Sequence, residues 1–207
     1  MTTISGHTFD ESRLPREPRE LDVGSRDFAF ALGIKAYRPH ADILCLEPDI
    51  HVQERTATGL GVRFRNAALV GDGRKSALYD ASGTGEGNFI VDEWHPYTAT
   101  RFIDLLPVPC LDIRDITDAT RVEKWDLVKL DCEGSEFGIL EHWPRGGIAG
   151  QITVEFHDFT NHARWNDEYF TWLWTQLPDY EVVQHEFFKQ GEAWGHWDTL
   201  LVRREGK

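Results

Sequence analysis

Residues 125–143 read Trp-Asp-Leu-Val-Lys-Leu-Asp-Cys-Glu-Gly-Ser-Glu-Phe-Gly-Ile-Leu-Glu-His-Trp, and this stretch decides the fold of the chain. An apolar run with the length of a buried strand is formed by Leu127, Val128, Leu130 and Cys132. Two acids, Asp131 and Glu133, end the run, and Gly134 then turns the chain into a helix that begins at Ser135. Such strands are typical of parallel sheets that are covered on both faces, and open α/β sheets bind ligands at the carboxyl ends of their strands. The stretch therefore predicts a parallel sheet with a ligand site beside Asp131 and Glu133.

Strand and helix patterns alternate along most of the chain. Buried strands are predicted over residues 20–24, 41–47, 62–70, 126–133 and 151–157. Helices are predicted over residues 26–37, 49–58 (with Asp49 as N-cap), 135–143 and 166–177. The chain ends in a predicted antiparallel strand pair, at residues 181–188 and 196–203. This order favours an α/β fold with a Rossmann-like, doubly wound, mostly parallel sheet and an antiparallel C-terminal strand.

The organisation of the chain indicates a single domain over residues 20–207. Residues 1–19 are polar and predict an N-terminal tail or lid. Residues 75–81 have the character of a strand, and a long, Gly-rich, irregular loop is predicted over 82–109, before a short strand at 110–113. Loops of this length in compact domains are usually functional or disordered.

Composition and charge restrict the class of protein. The chain has 207 residues, 41% of them hydrophobic, which is enough for one globular core. It carries 22 Lys and Arg against 35 Asp and Glu, a net charge of −13, and a surface that binds phosphates needs the opposite sign. Its three cysteines make no disulfide or zinc framework, and no apolar run approaches the roughly 18 residues of a membrane span. We therefore expect a soluble, cytoplasmic protein without a nucleic-acid or membrane partner.

The ends of the first two predicted strands carry a nucleoside-binding pattern. Asp22 ends the first strand, Gly24 and Ser25 form the turn, and Glu47 ends the second strand 25 residues after Asp22. The acid that ends the second strand of a Rossmann-like sheet accepts hydrogen bonds from ribose hydroxyls, and a glycine lets the backbone approach the ligand. Gly24 taken alone is equally typical of an ordinary strand-to-helix turn. The Gly-x-Gly-x-x-Gly that a dinucleotide pyrophosphate needs is absent from this turn.

Acidic and imidazole side chains end the fourth and fifth predicted strands. Asp131 and Glu133 share one face of the fourth strand, and Glu155 and His157 share one face of the fifth. Neighbouring parallel strands lie about 5 Å apart, so these groups converge if the two strands are adjacent. A carboxylate and an imidazole in one crevice can remove a proton from a hydroxyl, which makes Asp131, Glu155 and His157 the candidate catalytic residues. A divalent metal held by the same three residues is an open alternative that we do not predict, and His157 alone is equally compatible with a structural role.

The segment Asp131-Cys-Glu133-Gly134-Ser-Glu136 closely resembles the Asp-x-Glu-Gly-x-Glu signature of the FkbM-type methyltransferases, which transfer a methyl group from S-adenosylmethionine. The resemblance runs from about Leu21 to His157. It includes Asn66-Ala67-Ala68-Leu69, which is similar to the Asn-x-Ala-Leu stretch that lies near the adenine in that family. It implies a class I methyltransferase fold and S-adenosyl-L-methionine as the cofactor. One departure is Arg26-Asp27-Phe28, where the family tends to have a second glycine.

The resemblance also implies roles for individual residues. The expected cofactor-binding residues are Asp22, Gly24, Ser25, Glu47, Asn66, Ala67 and Ala68. The expected activity is an S-adenosylmethionine-dependent O-methyltransferase that acts on a hydroxyl of a small molecule or sugar, so that the partner is a small-molecule or glycan acceptor. Two alternatives stay open: a degenerate, non-catalytic binding protein, suggested by the bulky first loop, and a metal-dependent hydrolase built on the acidic cluster. The sequence is compatible with a homodimer and does not fix the oligomeric state.

Overall fold

A computed structural model gives the structure of residues 1–49, 51–52, 54–81, 89–91, 105–158, 167–190 and 194–205. The strands there are β1 Thr2–Ile4, β2 His7–Phe9, β3 Arg19–Val23, β4 Asp42–Leu46, β5 Arg63–Arg65, β6 Ala68–Leu69, β7 Ser76–Asp80, β8 Phe89–Val91, β9 Leu105–Leu111, β10 Trp125–Leu130, β11 Ala149–Asp158, β12 Tyr180–Gln190 and β13 Trp194–Arg203. The α-helices are α1 Ala29–Tyr37, α2 Glu54–Gly59, α3 Ile113–Thr120, α4 Glu136–Glu141 and α5 Asp167–Gln176.

The central sheet has the strand order β12-β13-β11-β10-β3-β4-β5. Strands β5, β4, β3, β10 and β11 pair in parallel, whereas β13 runs antiparallel between β11 and β12. The predicted doubly wound, mostly parallel sheet with an antiparallel C-terminal strand is confirmed. The chain order reverses between β3 and β10, which is the place where such sheets open a crevice for ligands.

Both faces of the sheet are covered, which explains the near-continuous apolar strands. On one face α1 and the N-terminal segment pack against the sheet around Ile43 and Cys45. On the other face α4 and α5 pack against Trp125 and Val128. Trp125 is fully buried, so the stretch that decides the fold is anchored in the core at its first residue.

A smaller sheet of order β6-β9-β7-β8 lies beside the central one. It corrects two expectations: β5 and β6 are separate strands within the predicted strand 62–70, and β9 begins at Leu105, inside the predicted loop 82–109. Strand β9 contains two prolines, Pro107 and Pro109, and proline is unfavourable in the middle of a sheet. Cys110 donates its N–H to the Lys75 carbonyl beside β7, so the alternate positions Pro107 and Pro109 lie where β7 needs no donor. Residues 82–88 and 92–104 of that loop lie outside the described residues.

The N-terminal residues, expected to be a tail or a lid, begin with an antiparallel hairpin of β1 and β2. Its two-residue turn has positive φ at both Ser5 (47°) and Gly6 (84°), the backbone that matches the twist of a two-residue hairpin. His7 is 3% exposed and Phe9 is 1% exposed. Polar and apolar residues alternate here over only a few positions, so the overall polarity of the segment concealed the strand pattern.

Two helix starts differ from the expectations. Helix α3 was not predicted, although Asp112 and Asp115 form a reciprocal capping box at its first turn. Helix α2 begins at Glu54 and not at Asp49, because the Asp49 carboxylate accepts the N–H of His51 in a local turn. None of the helices in the described segments combines the length and the apolar composition that a bilayer crossing requires.

Candidate functional site

A cavity of about 270 Å³ opens at the carboxyl edge of the central sheet. The ends of β3, β4 and β10 form its floor, and residues of the N-terminal hairpin and of the smaller sheet line its sides. The lining contains six of the predicted site residues: Asp22, Gly24, Ser25, Glu47, Ala68 and Asp131. The other four, which are not among the described lining residues, are Asn66, Ala67, Glu155 and His157. A concave site with a few convergent polar groups suits a small-molecule ligand.

Gly24 occupies a place where no other residue fits. Its φ is +79°, and a Cβ at this position would lie 1.7 Å from the carbonyl oxygen of Asp131. Its N–H donates to the carbonyl of Leu46 at 2.9 Å, and its own carbonyl accepts from Nζ of Lys129 at 2.7 Å. The sequence attributes this glycine to the approach of a ligand. The structure adds a second cause, because the ends of β3 and β10 touch here through their backbones.

Lys129 is a buried cation between two carboxylates. Its Nζ lies 3.3 Å from Oδ1 of Asp22 and 3.3 Å from Oδ2 of Asp131. Burial lowers the pKa of Lys129, but Asp131 and Asp22 more than offset this and raise it above its usual range. The carboxyl oxygens of Asp22 are buried and form no hydrogen bond with the described residues. Asp22 therefore keeps acceptor capacity for a ligand in the cavity that it lines.

Glu47 is a buried carboxyl that faces the same cavity. It is 5% exposed, and its Oε1 accepts the N–H of Asp49 at 2.9 Å. Burial raises the pKa of Glu47 from 4.5 to about 7, partly offset by that hydrogen bond. A carboxyl that is kept in such an environment beside a cavity is a candidate ligand-binding group.

Two of the remaining predicted cofactor residues, Ser25 and Asn66, donate hydrogen bonds to backbone carbonyls. Ser25 Oγ donates to the carbonyl of Asp22 at 2.6 Å. Nδ2 of Asn66 donates to the carbonyl of Glu47 at 2.9 Å and to that of Asp49 at 2.9 Å. Asn66 thus holds the turn that carries Glu47. Ala68 lines the cavity, and its neighbour Ala67 is buried without lining it.

The turn after β10 is held by Glu136, which is fully buried. Its Oε2 accepts the N–H of Gly134 at 2.9 Å, and its Oε1 accepts the N–H of Cys132. Glu133 (φ 53°) and Gly134 (φ 103°) both have left-handed backbone at this turn. The last acid of the Asp-x-Glu-Gly-x-Glu pattern therefore fixes the loop that presents Asp131 and Glu133 to the cavity.

Four carboxylates surround His157. Its Nδ1 lies 3.2 Å from Glu136, and its Nε2 lies 3.3 Å from Glu155, 3.6 Å from Glu133 and 3.8 Å from Asp131. The predicted convergence of the fourth and fifth strands is confirmed, since β10 and β11 are parallel neighbours. Burial lowers the pKa of His157, but hydrogen bonds to Glu136 and Glu155 raise it well above 6.5. The raised pKa favours the imidazolium form of this side chain, which pairs with the surrounding acids.

The two predicted catalytic acids stay ionised. Burial raises the pKa of Asp131, but Lys129, His7 and His157 hold it well below its usual range. Burial raises the pKa of Glu155, but the hydrogen bond with His157 and the charges of His157 and His7 together lower it below its usual value. Within the described residues, donor atoms that could hold a metal converge in two groups, His7-Asp131-Glu155 and Asp131-Glu136-His157. The alternative set Asp131, Glu155 and His157 is divided between them.

His7 is the site residue that the sequence analysis missed. It lines the cavity, and its Nε2 lies 3.4 Å from Oδ2 of Asp131. It comes from a hairpin 124 residues before Asp131 in the chain, and a lone histidine in a polar N-terminal segment gives no local signal of such a contact.

A family model for the methyltransferase FkbM domain matches residues 22–206. The chain belongs to the FkbM methyltransferase family. FkbM-family proteins are S-adenosylmethionine-dependent methyltransferases, so the cavity at the carboxyl edge is the expected place for that cofactor. The residues fit it: Glu47 presents a buried carboxyl, and Asp22 presents carboxyl oxygens that lack hydrogen bonds among the described residues.

This FkbM-family chain is also similar to solved structures of methyltransferases. It is similar to StiE O-MT residues 942–1257, with 7% identity and a TM-score of 0.54 over 97% of this chain and 71% of that one. It is also similar to magnesium protoporphyrin IX methyltransferase (ChlM) from Synechocystis PCC 6803 with bound SAM, with 9% identity, a TM-score of 0.48, and 91% and 71% of the two chains covered. For M. capricolum TrmK in complex with S-adenosyl-homocysteine the values are 7%, 0.47, 96% and 70%. At 7% identity and a TM-score of 0.54, the likeness to StiE O-MT is one of fold alone. No curated protein matches the chain.

Proposed function

We propose that this protein transfers a methyl group from S-adenosylmethionine to a hydroxyl of a small molecule or sugar. The observation that carries the proposal is one cavity whose lining contains Glu47, Gly24 and Asp131. Glu47 suits a ribose diol, and Asp131 belongs to a cluster of acids and imidazoles. A site of this kind combines a place for the cofactor with groups that can orient an acceptor.

The hydrogen-bonding capacity of Glu47 and Asp22 supports cofactor binding in this cavity. The carboxylate of Glu47 would accept the ribose hydroxyls, since one of its oxygens already accepts the N–H of Asp49 and further acceptor capacity remains. Asp22 would accept a hydrogen bond from the methionine end of the cofactor, because its buried oxygens lack a hydrogen bond among the described residues. Gly24 and Ser25 also line the cavity.

The charge of Asp131 supports a role for this residue beside the transferred methyl group and its acceptor. When bound, the cofactor supplies an electrophilic methyl group on a positively charged sulfur. The ionised Asp131 faces the cavity and favours positive charge there. Glu155 and His157 lie behind it, and the imidazolium of His157 holds Glu155 and Glu136 in place through contacts of 3.3 Å and 3.2 Å. A net charge of −13 supports a small-molecule or glycan acceptor over a nucleic acid.

The bulky first loop does not obstruct this site. Phe28 is 3% exposed and turns into the core, where its ring meets that of Phe64 at 5.8 Å. Arg26 and Asp27 lie at the exposed rim of the cavity. The departure from the family pattern is therefore accommodated outside the cavity, which supports a catalytic role over that of a degenerate binding protein.

The proposal is tested by binding and turnover together. Calorimetry should show S-adenosylhomocysteine binding to the wild type and at least tenfold weaker binding to Glu47→Gln. The matched control is Glu123→Gln, an exposed position far from the cavity lining, which should bind as the wild type does. Methyl-labelled S-adenosylmethionine should transfer its label to the oxygen of catechol or of methyl α-rhamnoside, a phenol and a sugar. Binding without label on either oxygen would contradict O-methylation, and absence of binding would contradict the cofactor site.

A further inference from the structure

His7 enters the site from the N-terminal hairpin and is the imidazole that lines the cavity. Its side chain is 2% exposed, with Nε2 at 3.4 Å from Oδ2 of Asp131 and 4.0 Å from Oε2 of Glu155. The ring of Phe30 on α1 packs edge-on against it, with the centroids 5.5 Å apart. The side chain is thus confined from two sides and directed at the catalytic acids.

The hairpin that carries His7 is fixed to the body of the domain. The backbone N–H of Asp10 donates to Oε1 of Gln151 at 2.7 Å, and Nε2 of Gln151 donates to the carbonyl of Asp10 at 3.0 Å. Ile4 packs so closely on α1 that a Cβ at Gly33 would lie 2.3 Å from it. A side chain that is held in this way can be placed with the accuracy that proton transfer needs.

The tautomer of His7 follows from its neighbours. The pKa values of Asp131 and Glu155 are both lowered, which favours carboxylates that can only accept hydrogen bonds. The nitrogen of His7 that faces Asp131 at 3.4 Å is Nε2, so Nε2 is the nitrogen that carries the proton. The lone pair then lies on Nδ1, which forms no hydrogen bond with the described part of the chain. His157 differs from His7 in two ways. Both of its ring nitrogens face carboxylates, and it is absent from the described cavity lining.

We infer that Nδ1 of His7 accepts the proton of the acceptor hydroxyl during methyl transfer, with Asp131 orienting the ring. This inference rests on the proposed function and adds the residue that removes the proton. The O–H proton passes to Nδ1, the oxygen lone pair forms the bond to the methyl carbon, and the electrons of the broken C–S bond remain on sulfur. The positive charge that leaves the sulfonium therefore ends on the imidazole.

Acidic groups from three strands lie around His7. Asp131 at the end of β10, Glu155 on β11 and Asp198 on β13 all interact electrostatically with His7, and Lys129 lies beyond Asp131, paired with it at 3.3 Å. The arrangement follows the logic of catalytic histidines, in which a buried carboxylate fixes the tautomer and supports the charged product.

The experiment compares His7→Gln and His7→Ala with His40→Gln, the same change at an exposed position before β4. The probes are catechol and methyl α-rhamnoside with labelled S-adenosylmethionine. For whichever probe the wild type methylates, we expect kcat to fall about 10²- to 10⁴-fold in both His7 variants, with KM changed less than about threefold. Added imidazole should restore part of the rate of His7→Ala and none of the rate of His7→Gln. His40→Gln should behave as the wild type.

A second measurement separates this inference from the proposed function. Calorimetry should give S-adenosylhomocysteine the same affinity for both His7 variants and the wild type, because Glu47 and Gly24 are untouched. Retained kcat in the variants would overturn the role of His7 and leave the proposed function standing. Wild-type activity that is lost with EDTA and restored by Mg²⁺ would also overturn it, since His7 would then be a metal ligand. If the wild type methylates neither probe, the proposed function fails and the inference fails with it.

Discussion

Replacing Glu47 by Gln should make the cofactor-free protein more stable while removing its cofactor affinity. Gln has the same shape and keeps an oxygen that can accept the N–H of Asp49. It removes only the ionisation of a buried carboxyl. A residue retained for folding would show the opposite effect on stability, so the two signs together identify a group that is kept for its ligand.

The magnitude follows from the pKa of Glu47, which burial raises from 4.5 to about 7. Between these values the unfolded chain has lost this proton and the folded protein has kept it, so the wild type loses stability as the pH rises through that window. At 1.36 kcal/mol per pKa unit the full loss is about 3 kcal/mol, reached above pH 7. Glu47→Gln should therefore be more stable than the wild type by up to about 3 kcal/mol at pH 8 and about equal to it at pH 4.5.

Urea unfolding at pH 8 and at pH 4.5 measures this difference directly. Glu123→Gln is the matched control, because the same change on an exposed side chain should alter stability by less than about 0.5 kcal/mol. Equal stability of Glu47→Gln and the wild type at pH 8 would show that ionising the Glu47 carboxyl does not destabilise the folded protein. A gain of the same size at both pH values would also contradict the prediction, since that gain would not come from ionisation.

Three further substitutions test the packing of the site. Gly24→Ala should lower the free energy of unfolding in urea by more than about 4 kcal/mol or prevent folding, because its Cβ would meet the Asp131 carbonyl. Gly61→Ala, at φ +71° with open space around it, should lower it by only about 1–2 kcal/mol. Equal losses in the two variants would contradict the close approach of Gly24 to Asp131. Lys129→Met leaves Asp22 and Asp131 without their cation and should cost about 3–5 kcal/mol, and a change below 1 kcal/mol would count against the buried pair. Burial raises the pKa of Glu20 well above 4.5, so the advantage in stability of Glu20→Gln over the wild type should grow as the pH rises from 4.5 to 8. S-adenosylhomocysteine should bind Glu20→Gln as it binds the wild type, and weaker binding would place Glu20 in the site.

The centre of the fold was predictable because its signals are local. The apolar run and acids of residues 125–133 define β10, and the run at 151–157 defines β11. Their adjacency was a condition of the prediction, and the parallel pairing of the two strands meets it. The smaller sheet was less accessible. Pro107 and Pro109 argue against a strand unless the direction of their missing donors is known, and that direction depends on the pairing of β9 with β7.

The candidate site was predictable in its chemistry and less so in its division of roles. Glu47 and Asp131 line the cavity as the strand ends require. His157 is a residue type that often acts as a base, but here the neighbouring carboxylates of Glu133, Glu136 and Glu155 raise its pKa. His7 could not be found at all, because its partner is 124 residues away. Tertiary neighbours decide the protonation of a histidine, and sequence spacing does not report them.

A crystal structure of the wild type with S-adenosylhomocysteine is the most direct test of the account. We expect the ribose hydroxyls to lie against the carboxylate of Glu47, the amino acid end of the ligand to lie at Asp22 and Gly24, and its sulfur to lie on the side of Asp131 and His7. A ligand bound elsewhere, or a ribose that leaves Glu47 without contact, would contradict it.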